Sequence, residues 1–161
     1  MATIRESRPE DRAAVEVCMA ELQDHERKID PWLLEGRAMA GPYVAILVDR
    51  CRESDGRIFV AEADDGRVVG FLCVYPESEA PQYPPETAVF AWVSDLAVLP
   101  SHRGTGLGRA LLEAAEGYAR EKGFRSMRLC VLAGNRRAID VYGAFGLEEY
   151  ELILRKRLTS G

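Results

Sequence analysis

The sequence has no long apolar run. Its longest uncharged stretch, residues 38–48, is 11 residues long, about half of what a helix needs to span a bilayer. Charge appears at once in Met1-Ala2-Thr3-Ile4-Arg5-Glu6, so a secretory signal segment is not expected. Cysteine is scarce, and Cys18, Cys51, Cys73 and Cys130 include no CxxC pair, which argues against a zinc ribbon or a thioredoxin-like redox site. Cys73 and Cys130 lie inside apolar runs, which predicts thiols packed as small hydrophobes in a reducing cytoplasm. No His/Asp/Glu spacing points to a metal. The chain lacks the GxSxG elbow of a serine hydrolase. It also lacks a basic excess, with a net charge of −5, which argues against a general nucleic-acid binder. Repeats and low-complexity segments are absent as well.

What is present is an ordinary globular composition. The 161 residues are 47% hydrophobic and 29% charged, enough for one domain over residues 1–161 with its own core. Charge is unevenly placed. Residues 1–99 hold 10 Lys/Arg against 19 Asp/Glu, and residues 100–161 hold 11 against 7. An acidic front and a basic back suit a site taking a cation on one side and a polyanion on the other.

Periodicity predicts a first strand over residues 2–5, then a helix that starts near Pro9 and carries Ala14, Val15, Val17, Cys18 and Leu22 at helical spacing. Residues 23–30 read as a polar loop and 31–48 as a second helical region. Two β-rich runs, 57–62 and 68–75, flank the hairpin signal Asp64-Asp65-Gly66. A Pro-rich connection over 76–86 leads to a strand over 87–99. A helix over 107–122 is closed by Gly123, and a buried-type strand follows over 125–132. Asn135 caps a helix ending near Phe145, and residues 147–158 supply a last strand. The order β-α-α-β-β-β-α-β-α-β is a mixed α/β arrangement around one sheet.

The stretch that carries chemistry is Leu96-Ala97-Val98-Leu99-Pro100-Ser101-His102-Arg103-Gly104-Thr105-Gly106-Leu107-Gly108-Arg109. A strand feeds a turn of alternating glycines that opens into an amphipathic helix. Such a turn lets backbone N–H groups approach a ligand, and the helix N-terminus favours an anion such as phosphate. Arg103 and Arg109 flank the turn and can add charge-assisted hydrogen bonds. Gly108 is followed by Arg109-Ala110 rather than the Lys-Ser or Lys-Thr of a P-loop, and Arg109 stands where GxGxxG needs its third glycine. A tight strand–helix turn without a ligand is the plain alternative.

Here the sequence resembles the GCN5-related N-acetyltransferase (GNAT) superfamily. Arg103-Gly104-Thr105-Gly106-Leu107-Gly108 is similar to its acetyl-CoA signature. The run Asn135-Arg136-Arg137-Ala138-Ile139-Asp140-Val141-Tyr142, with Phe145-Gly146 after it, is similar to its asparagine-to-tyrosine helix. The specific match spans residues 90–147. The resemblance implies a single-domain α/β fold whose central, mostly antiparallel sheet is splayed in the middle and flanked by about four helices. It implies an acetyl-CoA motif over residues 96–112, with acceptor-side elements near 20–45 and 76–90. Acetyl-CoA is then the co-substrate, with no metal. Its pyrophosphate is held by the turn of Arg103, Gly104, Thr105, Gly106, Leu107 and Gly108 with Arg109, and its pantetheine arm pairs with Leu96, Ala97 and Val98 as an added strand. An N–H near Val98 polarises the thioester carbonyl. Asn135 holds the pantetheine or nearby backbone, and Tyr142 protonates the departing thiolate.

The general base departs from the family pattern. Ser94 stands where many members have glutamate, with Asp95 beside it. Successive strand residues face opposite ways, so Ser94 and Asp95 cannot both enter the site. Asp95 is the candidate base, with a capping role as its alternative and a water chain to Asp24, His25 or Glu26 as another route. Arg57, Trp32 and residues 76–86 are candidates for shaping the acceptor pocket, whereas His102 reads as surface. The expected activity is acetyl transfer to a primary amine, tilted toward a small cationic molecule by the acidic front, through direct attack and a tetrahedral intermediate. A protein amine as acceptor and a non-catalytic acyl-CoA-binding module remain alternatives, as does a generic nucleotide-phosphate binder. The expected enzyme is cytoplasmic, engages neither membrane nor nucleic acid, and forms homodimers as many members do.

Overall fold

A computed structural model describes residues 2–158. Five strands form one sheet: β1 (Thr3–Glu6), β2 (Arg57–Glu62), β3 (Val68–Ser78), β4 (Val89–Val98) and β5 (Met127–Leu129). They lie in chain order, antiparallel from β1 to β4, with β5 parallel to β4. Five helices accompany them: α1 (Arg12–Arg27), α2 (Gly36–Ser54), a single turn α3 (Pro85–Ala88), α4 (Leu107–Glu121) and α5 (Arg136–Phe145).

Alternation along the strands builds two cores. Ile58 and Val60 of β2, with Phe71, Cys73 and Tyr75 of β3, face Val15, Cys18 and Met19 of α1 and Val44 and Leu47 of α2. Phe59, Ala61, Leu72 and Val74 face the opposite way, onto Leu111, Leu112, Ala115 and Tyr118 of α4. Helices α1 and α2 therefore cover one face and α4 the other, with Tyr142 and Phe145 of α5 at the edge of the second core. Helix α2 lies so close on α1 that a Cβ at Gly36 would sit 2.1 Å from the Ala20 carbonyl oxygen.

Several segments differ from the sequence reading. Val17, placed with the apolar positions of the first helix, proves exposed in the folded chain. Residues 23–27 are not loop but the last turns of α1. Gln23 is buried there and donates to the Leu34 carbonyl (3.1 Å), while Asp24 accepts from the Gly36 amide (2.7 Å), so polar side chains serve the α1–α2 connection. The second helix begins at Gly36 rather than residue 31 and runs through Pro42 to Ser54. Strand β3 continues to Ser78, with Pro76 paired opposite Ala91, and α3 occupies the end of the expected connection. The strand expected over 125–132 shortens to β5, and Cys130 just beyond it is exposed rather than packed. The last expected strand, 147–158, does not form: those residues have no regular secondary structure and are mostly exposed.

One polar cluster fastens the start of the chain. The Asp11 carboxylate accepts from Arg5 Nη1 (2.7 Å), Arg5 Nη2 (3.0 Å) and the Arg8 amide (2.7 Å). The Arg5 guanidinium hydrogen bonds hold Asp11 below the usual aspartate range. Replacing Asp11 by alanine leaves the Arg8 amide without its acceptor and leaves Arg5 with Glu62 as its remaining carboxylate, and should cost about 2 kcal/mol in urea titrations at pH 7. Because the folded pKa is depressed, this stabilisation is present above the ordinary aspartate value and lost as pH falls through the lowered one. The gap between wild type and Asp11→Ala should therefore close in acid.

Candidate active site

After β4 the chain passes through a short 3₁₀ turn (Pro100–His102) into the glycine turn and α4. Arg103 does not project away from this turn. Its Nε donates to the Val98 carbonyl (2.9 Å), and Nη2 lies 3.5 Å from Glu21 Oε1 on α1. Arg103 thus binds the turn to the end of β4. Thr105 tightens it through a hydrogen bond from its hydroxyl to the His102 carbonyl (2.6 Å). Gly104 and Gly106 have φ of +78° and +87°, a region that side chains make costly. A Cβ on either would meet nothing within 4 Å, so the outer side of the turn is open.

Gly106 is the N-cap of α4 and supplies no capping side chain. The amides of Leu107, Gly108 and Arg109 make no hydrogen bond to other described residues; the first to do so is Ala110, onto the Gly106 carbonyl (3.0 Å). Free first-turn amides and the positive end of the helix dipole make an anion cradle. Gly104 and Gly106 keep side chains out of the approach to it. Arg109 lies beside it, exposed to solvent, its Nε 3.0 Å from Glu113 Oε1 and its guanidinium 5.6 Å from the Phe145 ring.

Strand β4 leads to this cradle with an open edge. Its pairing to β5 joins Ala91, Trp92 and Val93 to Met127, Arg128 and Leu129 and stops there. From Ser94 to Val98 no described strand pairs with that edge, although β3 pairs with the other. The β3 register steps from Cys73↔Asp95 to Val74↔Val93, which leaves Ser94 as the extra residue of a β-bulge. The bulge shifts the alternation: Val93 packs toward α4, and so do Leu96 and Val98, while Asp95 and Ala97 turn toward α1 and α2.

Asp95 is thereby buried beneath α2, and its Oδ2 accepts from the Tyr43 hydroxyl (3.2 Å). Burial raises its pKa, against which Ser94 and Tyr43 act as polar neighbours. Glu26, in the last turn of α1, is also raised, first by burial and then by the charge of Asp95. Tyr142 on α5 is pushed up to about 12 by burial and by the charges of Glu26 and Asp95. Its hydroxyl makes no hydrogen bond among the described residues. Two carboxyls and a phenol, from α1, β4 and α5, thus lie within electrostatic reach of one another. A raised carboxyl takes up a proton at higher pH than a free one, and a raised phenol holds one to give.

Other residues singled out by the sequence lie elsewhere. Asn135 caps α5, its Oδ1 accepting from the Ala138 amide (3.3 Å). Arg57 is not at the acceptor side: it pairs with Glu121 (2.8 Å) and Glu6 (3.3 Å) beyond the far end of α4. Asp24 is engaged at the start of α2. Trp32 is exposed in the α1–α2 connection, under the guanidiniums of Arg155 and Arg157. His102 is at the surface, its Nδ1 2.9 Å from Ser101 Oγ. Tyr43, which the sequence reading did not single out, carried one signal: a phenol in the middle of the longest uncharged stretch.

A model of the acetyltransferase (GNAT) family matches residues 18–147. Streptothricin acetyltransferase of Streptomyces lavendulae is 34% identical over 58% of this chain and 46% of its own. The aminoglycoside N(6')-acetyltransferase type 1 of Stenotrophomonas maltophilia is 31% identical over 70% of this chain and 72% of its own. The chain spans about half the length of several curated relatives, among them an uncharacterised Bacillus subtilis N-acetyltransferase at 54%. Among solved structures, a mutant of the BH1408 protein from Bacillus halodurans superposes with a TM-score of 0.83 at 18% identity, over 98% of this chain and 99% of that one. The aminoglycoside N-acetyltransferase AAC(6')-Iy, solved with CoA, gives 0.70 at 20% identity over 98% and 100%.

Proposed function

This chain belongs to the GNAT acetyltransferase family, and on that premise we propose that it moves an acetyl group from acetyl-CoA to a primary amine of a small cationic molecule. The observation that carries the reading is the unpaired edge of β4 leading into the free first-turn amides of α4, with Glu26, Asp95 and Tyr142 within electrostatic reach of one another. Acetyl-CoA, when bound, supplies the activated acyl group. The amides of Leu107, Gly108 and Arg109 would hold its diphosphate, and Leu96, Ala97 and Val98 would offer main-chain groups to its pantetheine arm.

The remaining roles belong to the carboxyls and the phenol. Glu26, less buried than Asp95, takes the proton that an acceptor ammonium must lose before it can attack. Asp95 stays behind it as a fixed negative charge, oriented by Tyr43, which raises the basicity of Glu26 and favours a cationic acceptor. Tyr142 delivers its proton to the leaving sulfur. Asn135 acts through the helix it caps, fixing where Tyr142 stands. Names of relatives support the acceptor class, since they include acetyltransferases of streptothricin, thialysine, L-2,4-diaminobutyric acid and aminoglycosides. A cytoplasmic site of action, where acetyl-CoA is available, belongs to the same proposal.

The test is release of free CoA from acetyl-CoA across a panel of diamines, amino acids with side-chain amines and aminoglycosides. Turnover with at least one cationic amine is expected; binding of CoA without turnover on any of them would reduce the chain to a binding module. Tyr142→Phe should then lower kcat by about 10–100-fold at unchanged KM. Its melting temperature should hold, because the lost hydroxyl has no hydrogen bond to give up.

A further inference from the structure

Cys18, Cys51 and Cys73 are buried in the first core, and two of them touch. Cys51, near the end of α2, and Cys73, in the middle of β3, bring their sulfurs to 3.5 Å. A buried thiol packs as a small hydrophobe, and Cys18 does only that, its thiol pushed up to about 12 by burial. The other two are arranged as a pair. The hydrogen bond between their sulfurs lowers the Cys51 pKa and raises that of Cys73. One sulfur therefore ionises more readily while the other keeps its proton, which is the division between an attacking and a resolving thiol. Gly56, partly exposed, adjoins the Cys51 sulfur: a Cβ there would stand 3.1 Å from it. The cover on that flank is backbone without a side chain, and local opening at the end of α2 admits a molecule as small as hydrogen peroxide.

We propose that Cys51 and Cys73 form a peroxide-sensitive dithiol whose oxidation to a disulfide ties α2 to β3 and slows the enzyme. The Cys51 thiolate attacks one oxygen of the peroxide. The O–O bond breaks, hydroxide leaves and takes up the proton that Cys51 lost, and Cys51 becomes a sulfenic acid. The Cys73 sulfur then attacks the Cys51 sulfur, the S–O bond breaks, and that hydroxyl leaves as water with the Cys73 proton. Two thiols are oxidised, one peroxide is reduced and two waters form. In a reducing compartment the pair rests as thiols, and a soluble dithiol reopens the bridge by exchange.

Both ends of the bridge reach the proposed site. A disulfide is about 2 Å long, so closing it draws the two sulfurs together by about 1.5 Å from their 3.5 Å contact. Cys73 stands opposite Asp95 in the ladder of β3 with β4. Tyr43 lies about two turns before Cys51 on the same face of α2, and its hydroxyl holds Asp95. Drawing α2 onto β3 therefore displaces the hydrogen bond that orients Asp95 behind Glu26. The effect on turnover rests on the acetyl-transfer reading; the bridge itself does not.

The experiment uses Cys130→Ser, which removes the exposed thiol and leaves the three buried ones. Folded protein is treated with a few equivalents of hydrogen peroxide, and its thiols are counted after denaturation. The count should fall from three to one, the mass should fall by two hydrogens, and a tryptic digest should join residues 51–52 to 68–103. Acetyl transfer should slow by about 10-fold or more in kcat and recover with dithiothreitol. Cys51→Ala in the same background should keep its rate through the peroxide step. Three thiols that persist overturn the proposal, as does a sulfenic acid at Cys51 that never becomes a bridge. A bridge that leaves kcat unchanged overturns the switch. If Cys51→Ala does not fold, the joined peptide and the reversal by dithiothreitol decide on Cys130→Ser alone. A protein that acetylates no amine when reduced counts against the acetyl-transfer reading, while the thiol count and the joined peptide still decide the bridge.

Discussion

Exchanging Glu26 for glutamine should lower kcat by about 10²–10³-fold while the KM for acetyl-CoA stays within about twofold. Glutamine keeps the shape and the position at the end of α1 but cannot accept a proton. Burial and the charge of Asp95 raise the Glu26 pKa, so in wild type log(kcat/KM) should climb with pH through a value above the usual glutamate range. The glutamine variant should lack that limb. Asp95→Asn separates the two carboxyls: with the neighbouring charge gone, Glu26 should titrate lower and the limb should move toward acid without disappearing. A Glu26→Gln enzyme with the wild-type profile would hand the base role to Asp95 or to water. Stability should move the other way. A carboxyl whose folded pKa is raised contributes stability that is present below its unfolded pKa and lost as pH rises through the folded one. Glutamine escapes that loss, so Glu26→Gln should melt higher than wild type at pH 8, a cost that the proposed base exacts from the fold.

The cradle and α5 were legible in the sequence because both are local. Alternating glycines between a strand and an amphipathic helix state their own geometry, and Asn135 and Gly146 mark the ends of α5 within a few residues. The proposed catalytic cluster was not local. Glu26 lies in a polar run that helical periodicity could not claim, since its helical turns are held by contacts to the α2 side, such as Gln23 to Leu34. Asp95 was judged by regular alternation, and the bulge at Ser94 changes the phase of β4 at that residue. A one-residue insertion in a ladder is set by pairing with the neighbouring strand, and the three-residue step from Val93 to Leu96 is the only trace it leaves along β4. The final segment shows the converse. Its composition reads as a strand, but residues 147–158 take no regular structure and are tethered by side chains instead, through Tyr150 to Tyr83 and Arg155 to Asp30.

The cradle itself can be tested apart from the chemistry by Gly106→Val. At φ +87° a β-branched side chain is strained by about 1–2 kcal/mol, yet its Cβ would meet no atom within 4 Å, so the variant should fold with a lowered melting temperature. What changes locally is the cap of α4. Either the turn relaxes and the amides of Leu107, Gly108 and Arg109 move out of alignment, or the valine covers their approach. Both routes remove binding shared by ground and transition states, so the KM for acetyl-CoA should rise about 10–100-fold while kcat at saturation changes little. Gly66 supplies the control. It has φ +80° and equally open surroundings in the turn between β2 and β3. Gly66→Val should lose comparable stability and keep its KM, and free CoA should still raise its melting temperature as it does that of wild type. For Gly106→Val that ligand-induced rise should be largely absent. Equal losses of CoA stabilisation in both variants would trace the effect to global strain and leave the cradle without its assigned role.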